Sequence, residues 1–348
     1  MTQTILVTGG TGTFGHAFTT YTLTHFPDAK IRLLSRGEAA QVRMRERFKE
    51  HSARLTFIIG DVRDRQRLIT AMYGVDTVIH AAAMKVVPLI ESDPLEAIKT
   101  NVMGSVNVVE AAIEAGVEKA ILISSDKAVN PLNLYGASKL CAEKMFVAAS
   151  AYTGGREKPI FGVVRYGNVL GSRGSVVQAW RRQVERGEPI SITNPNATRF
   201  LITPTQAVAF VHWALGHMED GGIYMPAYLP AATVGDMAKA VKPGEDYPMR
   251  MVGLRAGEKL HEELISVWEW ANVRAMREDE QEDEWSRGPL PLMPFAWEIR
   301  REREEGAAGV HQTQPILSSG SLRPDRYLSV GQIRELIAQV GGDGLMEI

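Results

Sequence analysis

Short apolar runs, each closed by a glycine or a polar cluster, recur through the first half of the chain. Ile5-Leu6-Val7, Ile31-Arg32-Leu33-Leu34, Leu55 to Ile59, Thr77-Val78-Ile79, Ala120-Ile121-Leu122-Ile123 and Phe161-Gly162-Val163-Val164 are too short for helices and read as buried parallel strands. Helical patterns lie between them. One follows the first strand as far as about His25. A long one runs from Asp93-Pro94 through Ala115, with Asp93 as N-cap and Pro94 in the first turn. Another opens at Tyr135 and carries Leu140, Met145, Phe146 and Val147 on its apolar positions. Strand and helix in alternation demand a parallel sheet with helices on both faces, so the fold class is α/β, a Rossmann-type doubly wound sheet.

After residue 167 the alternation loosens. Residues 1–167 are expected to form the Rossmann-type domain and 168–348 mainly a smaller second lobe, with the chain returning to the sheet near 203–222. Charged runs at 277–284 and 298–305 flank Pro289-Leu290-Pro291, which marks 267–315 as an insertion. Mixed charge of this kind predicts a solvated helix-loop-helix; a substrate lid or subunit contact is the alternative.

Glycines at 9, 12 and 15, with Thr11, Thr13 and Phe14 between them, follow the first strand and open a helix. That context suits a tight turn, close backbone approach to a pyrophosphate, and a helix N-terminus facing its charge. The second strand ends in Ser35-Arg36, where an NAD enzyme usually carries a carboxylate for the ribose 2′-hydroxyl. A hydroxyl and a guanidinium there favour NADP over NAD, unless Arg36 is merely solvated and Glu38 reaches the ribose. Asp61, followed by Val62, is a candidate adenine-edge contact or a cap of the next helix. Ala81-Ala82-Ala83 let the backbone approach a cofactor, and Lys85 supplies positive charge for a phosphorylated ligand. His80 reads as a packed strand-end histidine, and Asn101 as facing the strand ends from the long helix.

The strand Ala120-Ile123 runs into Ser124-Ser125-Asp126-Lys127, and Tyr135 precedes Lys139 by four residues. The C-terminal edge of an open α/β sheet is where ligands bind. On a helix, the i, i+4 spacing stacks phenol and ammonium on one face. A free phenol titrates near pH ~10, and a positive charge about 4 Å away is worth roughly 4 kcal/mol at an effective dielectric of ~20. Lys139 is therefore expected to make Tyr135 a base. Arg173 and Arg199 are candidate diphosphate ligands, since arginine forks match phosphate oxygens.

Composition narrows the classes. The chain has 348 residues, 45% of them hydrophobic, and a formal net charge of −2, which gives no reason to expect nucleic acid. Its one cysteine, Cys141, excludes a disulfide framework and a thiolate metal site. His261-Glu262 lacks the second histidine of a zinc helix, and no metal is expected. No apolar run is long enough to span a bilayer, and Met1 to Thr4 leads straight into a strand without a leader pattern, so a cytoplasmic location is expected.

Gly9 to Gly15, Tyr135 with Lys139, and Arg165 to Val169 resemble the extended short-chain dehydrogenase/reductases that act on nucleotide sugars. Ala81-Ala82-Ala83-Met84-Lys85, Ser125-Asp126-Lys127-Ala128, Asn133-Leu134-Tyr135-Gly136, Gly171-Ser172-Arg173-Gly174-Ser175, Thr198-Arg199-Phe200 and Gly257-Glu258-Lys259-Leu260-His261-Glu262 resemble, more narrowly, the inverting UDP-N-acetylglucosamine 4,6-dehydratases. The likeness spans residues 4–265 and resumes weakly at 318–337. It implies that Tyr135, helped by Lys139 and Ser125, removes the C4 hydroxyl proton while NADP takes hydride. Lys127 would remove the C5 proton, Asp126 would protonate the departing C6 hydroxyl, and hydride would return to C6. It further implies cofactor contacts that include Val169, and substrate contacts from Lys85, Asn168, Arg173, Ser175, Arg199 and Arg255. The expected partners are a nucleotide sugar and further copies of the chain. An NAD(P)-dependent epimerase or reductase is the alternative enzyme. A dinucleotide-sensing protein is the non-enzymatic one, although it would need none of Asp126, Lys127, Tyr135 and Lys139.

Overall fold

The computed structural model describes residues 3–155, 157–277, 295–299, 318–320 and 326–342. Each early apolar run is a strand: β1 (Thr4–Thr8), β2 (Lys30–Ser35), β3 (Leu55–Ile59), β4 (Thr77–His80), β5 (Lys119–Ile123) and β6 (Ile160–Val164). The helices between them are α1 (Thr13–His25), α2 (Glu38–Arg47), α3 (Arg65–Met72), α4 (Val87–Ser92), α5 (Pro94–Ala97), α6 (Gly104–Ala115) and α7 (Leu134–Val147). Strands β3, β2, β1, β4, β5 and β6 pair in parallel in that order, so the chain reverses direction across the sheet between β1 and β4. A ligand crevice belongs at that reversal.

The helix expected from Asp93 to Ala115 is continuous but not uniform. Asp93 caps α5 by accepting from Glu96 N, and residues Ile98–Met103 form wide π-type turns before α6 begins. The widened turns deliver the Asn101 amide to Met84, whose N and O it binds at 2.8 and 2.9 Å. Widened turns inside a helix often mark a functional region. The sequence pattern did not predict α4.

Beyond β6 come β7 (Asn168–Val169), α8 (Val176–Glu185), β8 (Ile190–Ile192) and β9 (Thr198–Ile202). With β11 (Ala231–Thr233), α10 (Val234–Val241), β12 (Met249–Met251) and α11 (Val330–Gly342) they build a second lobe. Its core is separate, formed by Trp180, Ile190, Leu201, Met237, Ile333 and their neighbours. Between these elements the chain returns to the main sheet. Helix α9 (Pro204–His217) starts at a Thr203/Gln206 capping box and stacks His212 on Phe18 of α1 at 4.8 Å, and β10 (Gly222–Pro226) pairs with β6 in parallel.

The insertion departs from the helix-loop-helix expectation. Strands β13 (Val273–Arg277) and β14 (Phe295–Ile299) are antiparallel to each other and extend the main sheet beyond β10. The charged runs hid this although Val273 and Met276, just before the first of them, pack on the main core. The rest of 278–317 lies outside the described residues. No described helix is long and apolar enough to cross a membrane.

Arg165, fully buried just past β6, ties this region to α7. Its guanidinium forks onto Glu143 at 2.6 and 3.1 Å, bonds Glu269 at 2.9 and 3.2 Å, and donates to the Leu264 carbonyl. Burial works against ionisation of Glu269, but Arg165 and Ser266 outweigh it and hold that carboxyl below its ordinary range. Arg165→Ala strands the buried Glu143 and half-buried Glu269 carboxylates, so urea unfolding should show a loss of about 3–5 kcal/mol. A loss under about 1 kcal/mol, typical of an exposed pair, would show that the network does not anchor the segment.

Candidate active site

A cleft of about 630 Å³ opens over the C-terminal edge of the sheet. One wall is the glycine turn. Gly9 has a φ of +69°, and a Cβ there would lie 2.9 Å from the Ala82 backbone, so only glycine brings the β1 and β4 loops together. Gly12 caps α1 without a side chain, leaving that helix's first amides aimed into the cleft. Ser35, Arg36, Asp61 and Val62 line one end, and Ala81–Ala83, Ser125, Lys127, Tyr135, Lys139 and Val169 line the other. The Ser124 hydroxyl, also on the wall, has no hydrogen-bond partner among the described residues. A side-chain-free helix terminus, a narrow glycine cradle and an unpaired hydroxyl fit a nicotinamide dinucleotide.

At the adenine end, Asp61 accepts from Arg63 N, Nε and Nη2 at 3.0, 3.0 and 2.7 Å, and Arg36 stands 3.6 Å away. Asp61 does not cap the next helix, since Asp64 does. The Arg36 side chain is 58% exposed and so has room to meet a ligand. His80 is neutral packing: Thr8 and Ser105 hold its two nitrogens, and burial, with Lys139 nearby, pulls it down to about 3.

The reaction end is built by a close docking. β5 ends at Ile123, Ser125 caps a single turn over Asp126–Ala128, and α7 packs directly on that turn. A Cβ at Gly136 would collide with the Lys127 carbonyl oxygen. Asn133 caps α7 through Gly136 N and also donates to the Gly257 carbonyl at 2.9 Å. Ser125 Oγ and Lys127 Nζ donate to Asp126 Oδ1 at 2.8 and 3.0 Å, and Lys127 also reaches Asn168 Oδ1 at 2.8 Å.

Tyr135 and Lys139 share the cleft, but their electrostatics differ from the expectation. Burial pushes the Tyr135 phenol above its ordinary value; Lys127 draws it back, Asp126 opposes that, and a Ser125 hydrogen bond helps. Lys139 instead donates to the Ile123 carbonyl at 2.6 Å, and burial pulls it down to about 8 against the pull of Glu143. Helical spacing placed both groups on one face without showing that a main-chain acceptor takes the ammonium.

Lys127 is held charged: burial opposes its ionisation, but Asp126 and Glu262 outweigh it and raise it above its ordinary value. Asp126 is fully buried, with Ser125 and Lys127 as its links to the cleft.

Among the expected substrate contacts, Lys85, Asn168, Arg173 and Ser175 line the cleft. The Arg173 amide pins its loop to Thr13 Oγ1 at 3.0 Å. Lys85 is surrounded closely enough, with Arg173 and Lys127 nearby, to be pulled down to about 8. Arg199 is different. It is buried behind the site, on the Glu258 carboxylate at 2.9 Å and the Thr198 and Leu260 carbonyls. Arg255 is exposed on the loop before Gly257, and Asn101 is fully buried on Met84 and Ser138, so neither lines the cleft. Sequence reasoning missed Glu262, whose carboxylate stands 3.6 Å from Lys127 Nζ. The signal lay in the Gly257-to-Glu262 run, which carried part of the likeness but in which His261-Glu262 was weighed only for zinc.

A Tyr-x-x-x-Lys helix docked beside a glycine-cradled Rossmann cleft defines an extended short-chain dehydrogenase/reductase. The family model described as polysaccharide biosynthesis protein matches residues 5–279, and the chain belongs to that family. It is 46% identical over 265 residues, 76% of this chain and 78% of the other, to a Campylobacter jejuni protein named UDP-N-acetylglucosamine 4,6-dehydratase (inverting). It is also 43% identical over 276 residues, 78% of this chain and 80% of the other, to a Rickettsia prowazekii protein named UDP-glucose 4-epimerase. The structure of Pen from Bacillus thuringiensis superposes with a TM-score of 0.83 at 30% identity, covering 97% of this chain and 98% of that one. The NAD complex of Thermus thermophilus UDP-glucose 4-epimerase shares the fold at a TM-score of 0.63 and 22% identity, over 74% and 88% of the two chains.

A buried lysine that ionises less readily when folded weakens the fold below its folded value; the penalty fades as pH rises from there toward the unfolded value. For Lys139 that window runs from about 8 to 10.5. Urea midpoints of nucleotide-free Lys139→Met and wild-type protein should therefore differ more in the variant's favour at about pH 7 than at about pH 10. A pH-independent difference would mean that the folded chain does not disfavour the Lys139 charge.

Proposed function

We propose that this chain is a nucleotide-sugar 4,6-dehydratase that converts UDP-N-acetylglucosamine to a 4-keto-6-deoxy sugar nucleotide with inversion at C5. The observation that carries the reading is Lys127, with Asp126 bonded behind it, beside Tyr135 in one cleft. Epimerisation at C4 needs a base for the hydroxyl and a hydride carrier. Elimination also needs a base for C5 and an acid for the leaving hydroxyl, each typically worth about 10²-fold to 10⁴-fold.

Bound nicotinamide would accept hydride from C4 and return it to C6. Tyr135 takes the C4 hydroxyl proton, assisted by Ser125 and Lys139. The new ketone acidifies C5, where Lys127 removes the proton. Asp126, reached through the Ser125 hydroxyl and the Lys127 ammonium, supplies the proton to the departing C6 hydroxyl, and the proton that Tyr135 took from the C4 hydroxyl goes to the opposite face of C5 once hydride is back on C6. Lys85, Asn168, Arg173 and Ser175 hold the nucleotide diphosphate and sugar, while Arg199 acts from behind the site. Ser35 and Arg36 select NADP by meeting its 2′-phosphate, and the protein works as a homo-oligomer in the cytoplasm.

Incubation with UDP-N-acetylglucosamine and mass analysis tests the reading. Loss of one water without net consumption of nicotinamide supports it. A stereoisomer of unchanged mass, the outcome favoured by the likeness to the Rickettsia protein, would replace it with epimerisation.

Lys127→Ala should separate oxidation from elimination. Tyr135 and Lys139 remain, so nicotinamide absorbance should rise to near stoichiometry with enzyme while product release and deuterium entry at C5 slow by about 100-fold or more. Normal C5 exchange would remove Lys127 from that role. For cofactor choice, Arg36→Ala should weaken NADP about 10-fold to 100-fold more than NAD, the worth of one charge-assisted contact of about 1.5–3 kcal/mol. Equal weakening of both would leave NADP selection without a basis.

A further inference from the structure

A charged ammonium has no lone pair, so Lys127 cannot take a carbon-bound proton until it has lost its own. Its hydrogen bonds go to Asp126 Oδ1 and Asn168 Oδ1, and the other carboxylate beside it is Glu262, 3.6 Å away. Glu262 is 3% exposed. Its Oε2 has no hydrogen-bond partner among the described residues, and Lys259 Nζ stands 3.9 Å from it. The backbone holds it rigidly: Glu262 N donates to Ser319 Oγ at 2.8 Å and Ser319 N donates back to Glu262 O at 2.7 Å.

We propose that Glu262 holds the Lys127 proton while Lys127 takes the proton from C5, and that it returns this proton to reset Asp126. The proposal rests on the dehydratase reading and deepens it. The role proposed for Asp126 has it carry the proton that the departing C6 hydroxyl takes, which leaves Glu262 as the carboxylate open to the Lys127 proton. Lys127 passes its proton to Glu262 and becomes an amine. The amine takes the C5 proton, the C6–O bond breaks, and Asp126 gives its proton to the departing hydroxyl, which leaves as water. Lys127 is then an ammonium, Glu262 an acid and Asp126 a carboxylate. Once hydride is back on C6, C5 takes the phenol proton that Tyr135 had received from the C4 hydroxyl, on the face opposite Lys127; transfer from Lys127 to Asp126, and from Glu262 to Lys127, then restores the start.

The surroundings suit a carboxyl that changes state. Burial raises Glu262 above the ordinary carboxyl range; Lys127 opposes this, Asp126 adds to it, and Arg199 and Lys259 oppose it further. Both carboxyl groups flank Lys127, so a proton moves between them through its amine without crossing the cleft. Glu262 acts through Lys127 and is a positioning residue, not one that touches the sugar.

Glu262→Gln tests this, because its amide oxygen can still accept from Lys127 but cannot take a proton. The full-length variant, its fold checked by thermal melting, is compared with wild type and Glu262→Asp in deuterated buffer with UDP-N-acetylglucosamine. The ratio of C5 exchange to C4 oxidation should fall about 100-fold in Glu262→Gln, the lower end for a positioned proton-transfer group, and recover in part in Glu262→Asp. Wild-type exchange should rise through an acidic limb above the usual carboxylate range. In Glu262→Gln that limb should vanish, leaving a rate that climbs as pH approaches the lysine range. An unchanged ratio and pH profile would overturn the role of Glu262 while leaving the dehydratase reading intact. Wild-type protein that neither loses water from the sugar nor exchanges C5 would overturn both.

Discussion

The docking of α7 onto the Asp126–Ala128 turn is the constraint on which the site depends. With no side chain at Gly136, the helix settles against the Lys127 carbonyl and carries Tyr135 to the edge where Ser125 and Lys127 already stand. Any separation of the two would break the relation between Tyr135 and the groups that act on its proton. Asn133 closes the docking from the other side by capping α7 with its oxygen and binding Gly257 with its amide nitrogen.

That second bond makes the centre a joint property of two lobes. The 257–262 segment is fastened to the second lobe by Arg199 on Glu258, Thr198 on His261 and Ser319 on Glu262. It is fastened to the Rossmann side by Asn133 on Gly257 and by Lys259 on the Val129 carbonyl. Lys127 therefore sits where the lobes meet, bonded to Asn168 in β7 on the way into one and to Asp126 in the turn after β5 of the other.

Much of this was legible in the sequence because parallel strands buried on both faces leave unmistakable apolar runs, and local chemistry follows from spacing. The glycine turn, strands β1 to β6 and the shared face of Tyr135 and Lys139 all came from patterns a few residues long. What escaped depends on distant partners. Nothing near Arg199 announces that Glu258 will take its guanidinium, and nothing near Lys139 that the Ile123 carbonyl will take its ammonium. Strands β13 and β14 were hidden for a similar reason: their place is set by the open edge of β10, while their composition speaks of solvent.

The Arg165 and Lys127 cation–carboxylate clusters differ in a way that separates support from chemistry. Around Arg165, the guanidinium fork meets Glu143, Glu269 and a carbonyl in fixed geometry, an arrangement that resists change. Around Lys127, a rotatable ammonium faces two carboxylates, and Asp126 Oδ2 and Glu262 Oε2 are left unpaired among the described residues. Unpaired buried groups cost about 1–3 kcal/mol each, more when charged, and a fold tolerates them where the vacant position has a use. Each unpaired oxygen is a place where a proton can be held without breaking an existing hydrogen bond. The rigid cluster helps fix the segment bearing Glu262, since Arg165 also binds the Leu264 carbonyl two residues beyond it. The stable ion network thus holds in place the frustrated one on which the proposed chemistry turns.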